Sequence, residues 1–234
     1  MKFVSRQRFL FTAVFSAAFL LPPGAPAQQA ADSVGAADTS SSAIVRVGED
    51  LYKIGNVLLD SRSREITVPG TVNMEKGLIE LVACGPGGKL HESVLVLDVV
   101  PYHLQVALLL LGLRFIGGLE YQGDPRTPLG DSVEVRARWT LNGKTTTVRI
   151  EDLVWDIPHK RPMEHTPWIF VGSKLIQGRF MADAEKSLIT TYHDPFTILD
   201  NPLTSGGDDE LFKVNWNLVP PKGTPVEVII KALK

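Results

Sequence analysis

The chain has 234 residues, 44% of them hydrophobic and 21% charged, with a formal net charge of −2 and a single cysteine, Cys84. A nearly neutral, slightly acidic chain lacks the basic field on which nucleic-acid binding depends, and one cysteine excludes an internal disulfide. The length is sufficient for one core of ordinary size.

Residues 1–27 carry the features of a secretory signal: a basic front of Lys2, Arg6 and Arg8, an apolar run from Phe9 to Leu21, and Ala25-Pro26-Ala27 with small residues at the cleavage positions. The run is short for a membrane span. Without this leader the chain keeps 21 of its 24 basic residues against 26 acidic ones. The expected product is exported, periplasmic or extracellular, with no integral membrane segment after cleavage. Residues 28–42 are small and polar, cannot bury enough apolar area to offset the entropy of ordering, and read as a disordered tether. Residues 43–234 are the expected folded domain.

Within that domain, Leu51 to Leu59 reads as a strand or strand pair, and Ser61-Arg62-Ser63 as a turn into a short alternating strand, Glu65 to Val68, closed by Pro69-Gly70. Gly77 to Ala83 is a second apolar strand in which Glu80 should point to a sheet edge or find a partner, since an unpaired buried carboxylate is expensive. A strand-like run, Val94 to Val100, leads to a helix opened by Pro101, whose missing amide proton suits the first helical position. Leu104, Ala107, Leu108 and Leu111 follow the i, i+3, i+4, i+7 pattern, and Val106, Leu109 and Leu110 fill the other sides. This is therefore the expected central buried helix, stopped at Gly112.

Gly117 to Asp131 reads as a long surface loop. Val133, Val135, Ala137, Trp139 and Leu141 then alternate with polar residues up to Asn142-Gly143, the signature of a two-residue hairpin. Gln177 to Asp183 and Ser187 to Tyr192 read as short strands, Phe196 to Pro202 as a helical turn, and Leu211 to Leu218 with Val226 to Lys231 as a closing antiparallel hairpin. Many short strands around one dominant helix predict a single-domain α+β fold with a mostly antiparallel β-sheet and one central buried apolar helix.

Chemistry concentrates between Cys84 and Ser93. Gly85, Gly87 and Gly88 permit close backbone approach, but Gly85-Pro86-Gly87-Gly88-Lys89 lacks the spacing and terminal hydroxyl of a phosphate-binding loop. The candidate ligand-binding residues are Gly87, Gly88, Lys89, His91, Glu92 and Ser93, joined by His103 and by His193-Asp194. His103 stands at a helix N-terminus, where amide donors favour an anion. A hydrolase would use Ser93 or Cys84 as nucleophile with a histidine, yet no GxSxG elbow is present and no catalytic residue is assigned. A metal site built from Cys84, His91, His103 and His193 would favour zinc or copper, although no pair has CxxC or HExxH spacing. No cofactor is implied with any specificity. A binding or structural module is preferred to an enzyme, with an envelope protein or a small-molecule ligand as partner and no nucleic acid.

Thr71-Val-Asn-Met-Glu-Lys-Gly77-Leu-Ile-Glu, Gly88-Lys-Leu-His91-Glu92-Ser93, the Pro101 to Gly112 segment, Phe170-Val-Gly172-Ser173 and His193-Asp194-Pro195 resemble the YdjY-domain family of exported bacterial proteins. The resemblance spans about residues 64–231, and the His-Glu-Ser triplet with the leucine-rich helix is its most specific part. It implies a fold unit and a compartment, and it adds no mechanism. Gln105 stands where the family pattern often has a second histidine, and Phe115 to Asp131 is longer than that pattern.

Overall fold

The computed structural model describes residues 44–233. The leader at 1–27 and the tether at 28–42 lie outside the described residues. The described residues begin with three short antiparallel strands, β1 (Ile44–Arg46), β2 (Leu51–Ile54) and β3 (Val57–Asp60), the last two joined by a tight turn at Gly55-Asn56. β4 (Glu65–Val72) follows, then β5 (Leu81–Cys84) and β6 (Ser93–Leu97). β4 does not stop at Pro69-Gly70 as expected. Pro69 stands at a position that needs no donor to continue the strand, and Gly70 makes room for a crossing neighbour.

Helix α1 (Pro101–Leu110) starts with proline at its first position. Its end is a Schellman motif: Gly112 has φ +79°, its N–H donates to the Leu109 carbonyl at 2.9 Å, and the Leu113 N–H donates to Leu108 at 3.2 Å. Leu104, Ala107 and Leu108 are fully buried, so the helix is internal, whereas Leu109 and Leu110 are 44% and 53% exposed. The surrounding strands cover only part of the helix circumference, so apolar residues on every side do not mean burial on every side.

β7 (Phe115–Gly117) and β8 (Leu129–Gly130) pair across the expected loop. β9 (Ser132–Leu141) and β10 (Lys144–Arg149) form the expected hairpin; Asn142 and Gly143 both have positive φ, 52° and 77°, as this turn requires. Then come β11 (Val154–Asp156), β12 (Arg161–Pro162), β13 (Trp168–Phe170), β14 (Leu175–Ile176) and β15 (Arg179–Phe180). Residues 181–185 form a short helix, α2, where a strand was expected, and β16 (Ser187–Thr190) follows it. β17 (Leu199–Asp200), β18 (Phe212–Val214) and β19 (Pro225–Ala232) complete the chain.

Eight of these strands close into a barrel, in the order β4, β19, β9, β13, β17, β16, β5, β6 and back to β4. Only β16–β17 and β5–β6 are parallel. The domain is thus a single α+β unit with a predominantly antiparallel, closed sheet and one internal helix. Alternation fills it: Val133, Val135, Ala137 and Trp139 of β9 point inward with Val226, Val228, Ile230 and Ala232 of β19, while Arg136, Arg138 and Glu227 face out. Each fully buried valine, leucine or isoleucine of this set contributes about 1.5–3 kcal/mol relative to exposure.

Two expectations about the C-terminal third are corrected. Phe196 to Pro202 is not a helical turn, because Leu199 and Asp200 pair with β13 on one side and β16 on the other. Leu211 to Leu218 and Val226 to Lys231 do not form a hairpin. Both edges of β19 are taken by β4 and β9, and β18 joins β11 in a small separate sheet. Among the described residues no helix is long and apolar enough to cross a membrane.

Candidate functional site

The glycine-rich stretch exists because β5 and β6 are parallel neighbours joined by only eight residues, Gly85–Glu92. Parallel pairs normally need a crossover of a dozen or more residues. Glycine makes the short return feasible: Gly87 has φ +79°, and a Cβ on Gly88 would fall 2.8 Å from Lys186 Cβ and 3.1 Å from Cys84 Cβ. The loop ends in one tight turn, Leu90–Glu92, clamped by the Asn73 amide, which donates to the Leu90 and Ser93 carbonyls at 2.6 and 2.7 Å.

That turn presents a ladder of charge. Lys89 Nζ lies 2.6 Å from Glu80 Oε2 and 3.1 Å from Glu92 Oε1, and His91 Nε2 lies 3.5 Å from Glu92 Oε2. Glu80 therefore has the partner its place in an apolar strand demanded. Burial alone would lower the Lys89 ammonium, but the hydrogen bonds to Glu80 and Glu92 outweigh it and raise the group. The ladder opens on a cleft of about 410 Å³ lined by Leu78, Glu80, His91, Glu92, Asp209 and Glu210 among others. Four carboxylates face it. Tyr192 registers the resulting field, its phenol pushed up by burial and then by Asp209 and Glu80.

The remaining candidate residues do not line this cleft. Ser93 is fully buried and donates its hydroxyl to the Lys89 carbonyl at 2.7 Å. Cys84 is also fully buried, and burial pushes its thiol up. His91, whose side chain is 80% exposed, lies beside Glu92, and no catalytic triad is evident among the described residues. His193 is enclosed. Its Nδ1 and Nε2 sit 2.6 and 2.8 Å from the carbonyl oxygens of Asp124 and Asn201, and a Cβ on Gly206 would fall 2.1 Å from its ring. Asp194 accepts from Ser187 Oγ and from the Phe196 N–H, both at 2.9 Å. His193 and Asp194 thus stitch interior loops together.

His103 lines a different cleft, with Pro86 of the glycine loop on its far wall. The helix amides beside it are already used: the Tyr102 N–H donates to Asp183 Oδ1 and the His103 N–H to the Val100 carbonyl, each at 2.9 Å. The expected anion site at the start of α1 therefore lacks its donors. Zinc or copper does not fit the proposed set either, since Cys84, His91, His103 and His193 occupy separate surroundings. Among the described residues no group of three or more histidine, cysteine, aspartate or glutamate side chains is placed to hold a metal. A larger concavity, about 700 Å³, crosses the outer faces of β4, β19 and β9. Its Arg138 and Glu227 pair with each other at 2.8 Å.

The described residues form a closed, mostly antiparallel α+β barrel with an internal helix and a clamped acidic turn, and no catalytic triad or metal cluster is evident among them. Residues 57–231 match the YdjY domain model, and the chain belongs to that uncharacterised bacterial family. The match begins a few residues before the stretch where the sequence resemblance was first legible, and so takes in β3. Comparisons with curated proteins and with solved structures found no match.

Proposed function

We propose that this chain is an exported envelope protein whose YdjY domain is a binding module, and that its recognition surface is the cleft beside the His91-Glu92-Ser93 triplet. The basic front, apolar run and Ala25-Pro26-Ala27 of the leader support the compartment. One observation carries the site: Glu80, Glu92, Asp209 and Glu210 converge on one cleft, with the single ammonium of Lys89 wedged between two of them. Such an excess of carboxylate suits a positively charged partner, either a lysine- or arginine-bearing segment of an envelope protein or a small ammonium ligand. Ser93 and Lys89 serve here as supports that hold Glu92 and His91 at the rim.

Trilysine is the probe for this reading. It is expected to bind the full-length protein with an affinity that falls as salt rises, because the exposed charges are screened. The double variant Glu92→Gln, Asp209→Asn should weaken it about tenfold or more. Equal affinity for the variant and the parent chain would remove the cleft as the recognition surface. A mature mass that retains residues 1–27 in protein taken from the cell envelope would overturn export with cleavage.

A further inference from the structure

We propose that the domain carries a second, independent binding site, at the first turn of α1, for a small zwitterion of the amino-acid or dipeptide class. The cleft there encloses about 390 Å³, and Asn56, Pro86, Asp98, His103 and Lys186 lie in its lining. It shares no lining residue with the acidic cleft. Its volume is near the lower end of ligand pockets, about 300–1,000 Å³, which favours a compact ligand over a longer chain.

Three polar groups that line this cleft have hydrogen-bonding capacity not taken up by other protein groups and accessible to a ligand. His103 is only 5% exposed, yet among the described residues neither ring nitrogen has a hydrogen-bond partner. The fully enclosed unpartnered side-chain atoms among the described residues do not include the His103 nitrogens, so the ring opens onto the cavity, where a ligand can supply the partner the protein does not. The ring is fixed by shape: Gly55, with φ +55°, lies so close that a Cβ there would fall 2.4 Å from Nδ1. Lys186, in the left-handed region at φ 58°, rests its stem against Gly85 and Gly88, and among the described residues its ammonium meets no carboxylate. Asp98 receives the Asn56 amide on Oδ2 at 2.9 Å and keeps its other oxygen free of any partner among the described residues.

Asp98 and Lys186 thus line one cavity without forming an ion pair with each other. A ligand that is only cationic meets Lys186, and one that is only anionic meets Asp98. A molecule bearing both charges satisfies each: its carboxylate takes hydrogen bonds from Lys186 Nζ and a His103 ring N–H, and its ammonium donates to Asp98. The helix amides take no part, since Asp183 and the Val100 carbonyl already engage those of the first turn. The glycine-rich loop supplies the wall through Pro86 and makes room for the Lys186 stem.

Titration of the full chain with glycylglycine, followed through the imidazole signals of His103 by NMR, tests the site. N-acetylglycylglycine lacks the ammonium and glycylglycinamide lacks the carboxylate. The expected result is a saturable shift of the His103 signals with glycylglycine and affinity lower by about tenfold or more for either blocked form. Asp98→Asn should abolish the preference over the acetylated form, and Lys186→Gln the preference over the amide. Both side chains lie at least partly in solvent, so neither change threatens folding, and Glu92→Gln should leave all three affinities unchanged. No saturable shift at His103, equal affinity for the three compounds, or preferences that survive both substitutions would each overturn the proposal.

Discussion

Gly70 on β4 stands directly across from Leu97 on β6, and no side chain fits between them: a Cβ on Gly70 would fall 2.7 Å from Leu97 Cδ2 and 2.5 Å from the Val96 carbonyl oxygen. This is where the barrel closes. The same edge of β4 pairs with β3 through Glu65 to Thr67, then with β6 through Gly70 to Val72.

Gly70→Ala should therefore destabilise the domain by about 1–3 kcal/mol, as overpacking against main chain does. The clash is with a carbonyl oxygen, which cannot rotate away as a side chain would. A urea midpoint unchanged by the substitution would show that β4 and β6 separate more easily than their register indicates.

Leu108 and Leu110 provide a matched pair on α1. Leu108→Ala removes a fully buried side chain and should cost about 2–5 kcal/mol. Leu110, 53% exposed, should change stability by no more than about 0.5 kcal/mol when replaced by alanine. Equal effects in chemical unfolding would contradict the helix orientation.

Stability should decline toward both ends of the pH scale, for opposite reasons. The Asp124 carboxyl is held well below the usual range, first by hydrogen bonds from Arg126 and then by main-chain amides, so its contribution is lost only on strong acidification. Asp194 and Asp200 are both raised by burial, and the charge of Asp194 raises Asp200 further. Their contribution is greatest below the unfolded carboxylate value of about 3.9 and is lost as pH rises through the raised folded values. Asp194→Asn keeps the acceptor for the Phe196 N–H and removes one ionisation and its repulsion. Urea midpoints across pH should show the variant more stable than the parent at neutral pH, with a shallower fall above pH 5. The same slope in both would mean that Asp194 is already ionised in the native state over that range.

Cys84 should resist iodoacetamide in the native protein and react fully on unfolding, since burial both shields the thiol and disfavours its thiolate. Mass spectrometry reads the outcome. Rapid native alkylation would mean that the Gly85–Glu92 loop opens and exposes β5. Because burial alone protects this cysteine, protection carries no information about metal.

Features set by neighbours in the chain were legible before the structure. Asn142-Gly143 fixes its turn by backbone conformation, Pro101 and Gly112 bracket α1, and Glu80 in an apolar strand called for a sheet edge or a partner. Pairings made over distance were not. Leu199 and Asp200 form a strand only because β13 and β16 lie on either side, and β19 appeared to need β18 because hairpins are the commonest local solution. The site divides the same way. His91 and Glu92 were visible as adjacent residues, but Asp209 and Glu210 reach them only through the folded chain. Lys186 carried no signal at all, its role depending on a left-handed backbone at the end of α2 and on two glycines a hundred residues away.

β19, the last strand, is inserted between β4 and β9, and Lys231 reaches back to Glu65 across 166 positions of chain, Nζ to Oε1 at 3.1 Å. Until that strand arrives, the sheet is an open ribbon with two unpaired edges, and the interior valines of β9 face solvent. Contacts so distant in sequence form slowly, because a long loop must close before any of them stabilises the fold. Without residues 225–232, β4 and β9 would each lack the neighbour that β19 provides, and the barrel would stay open.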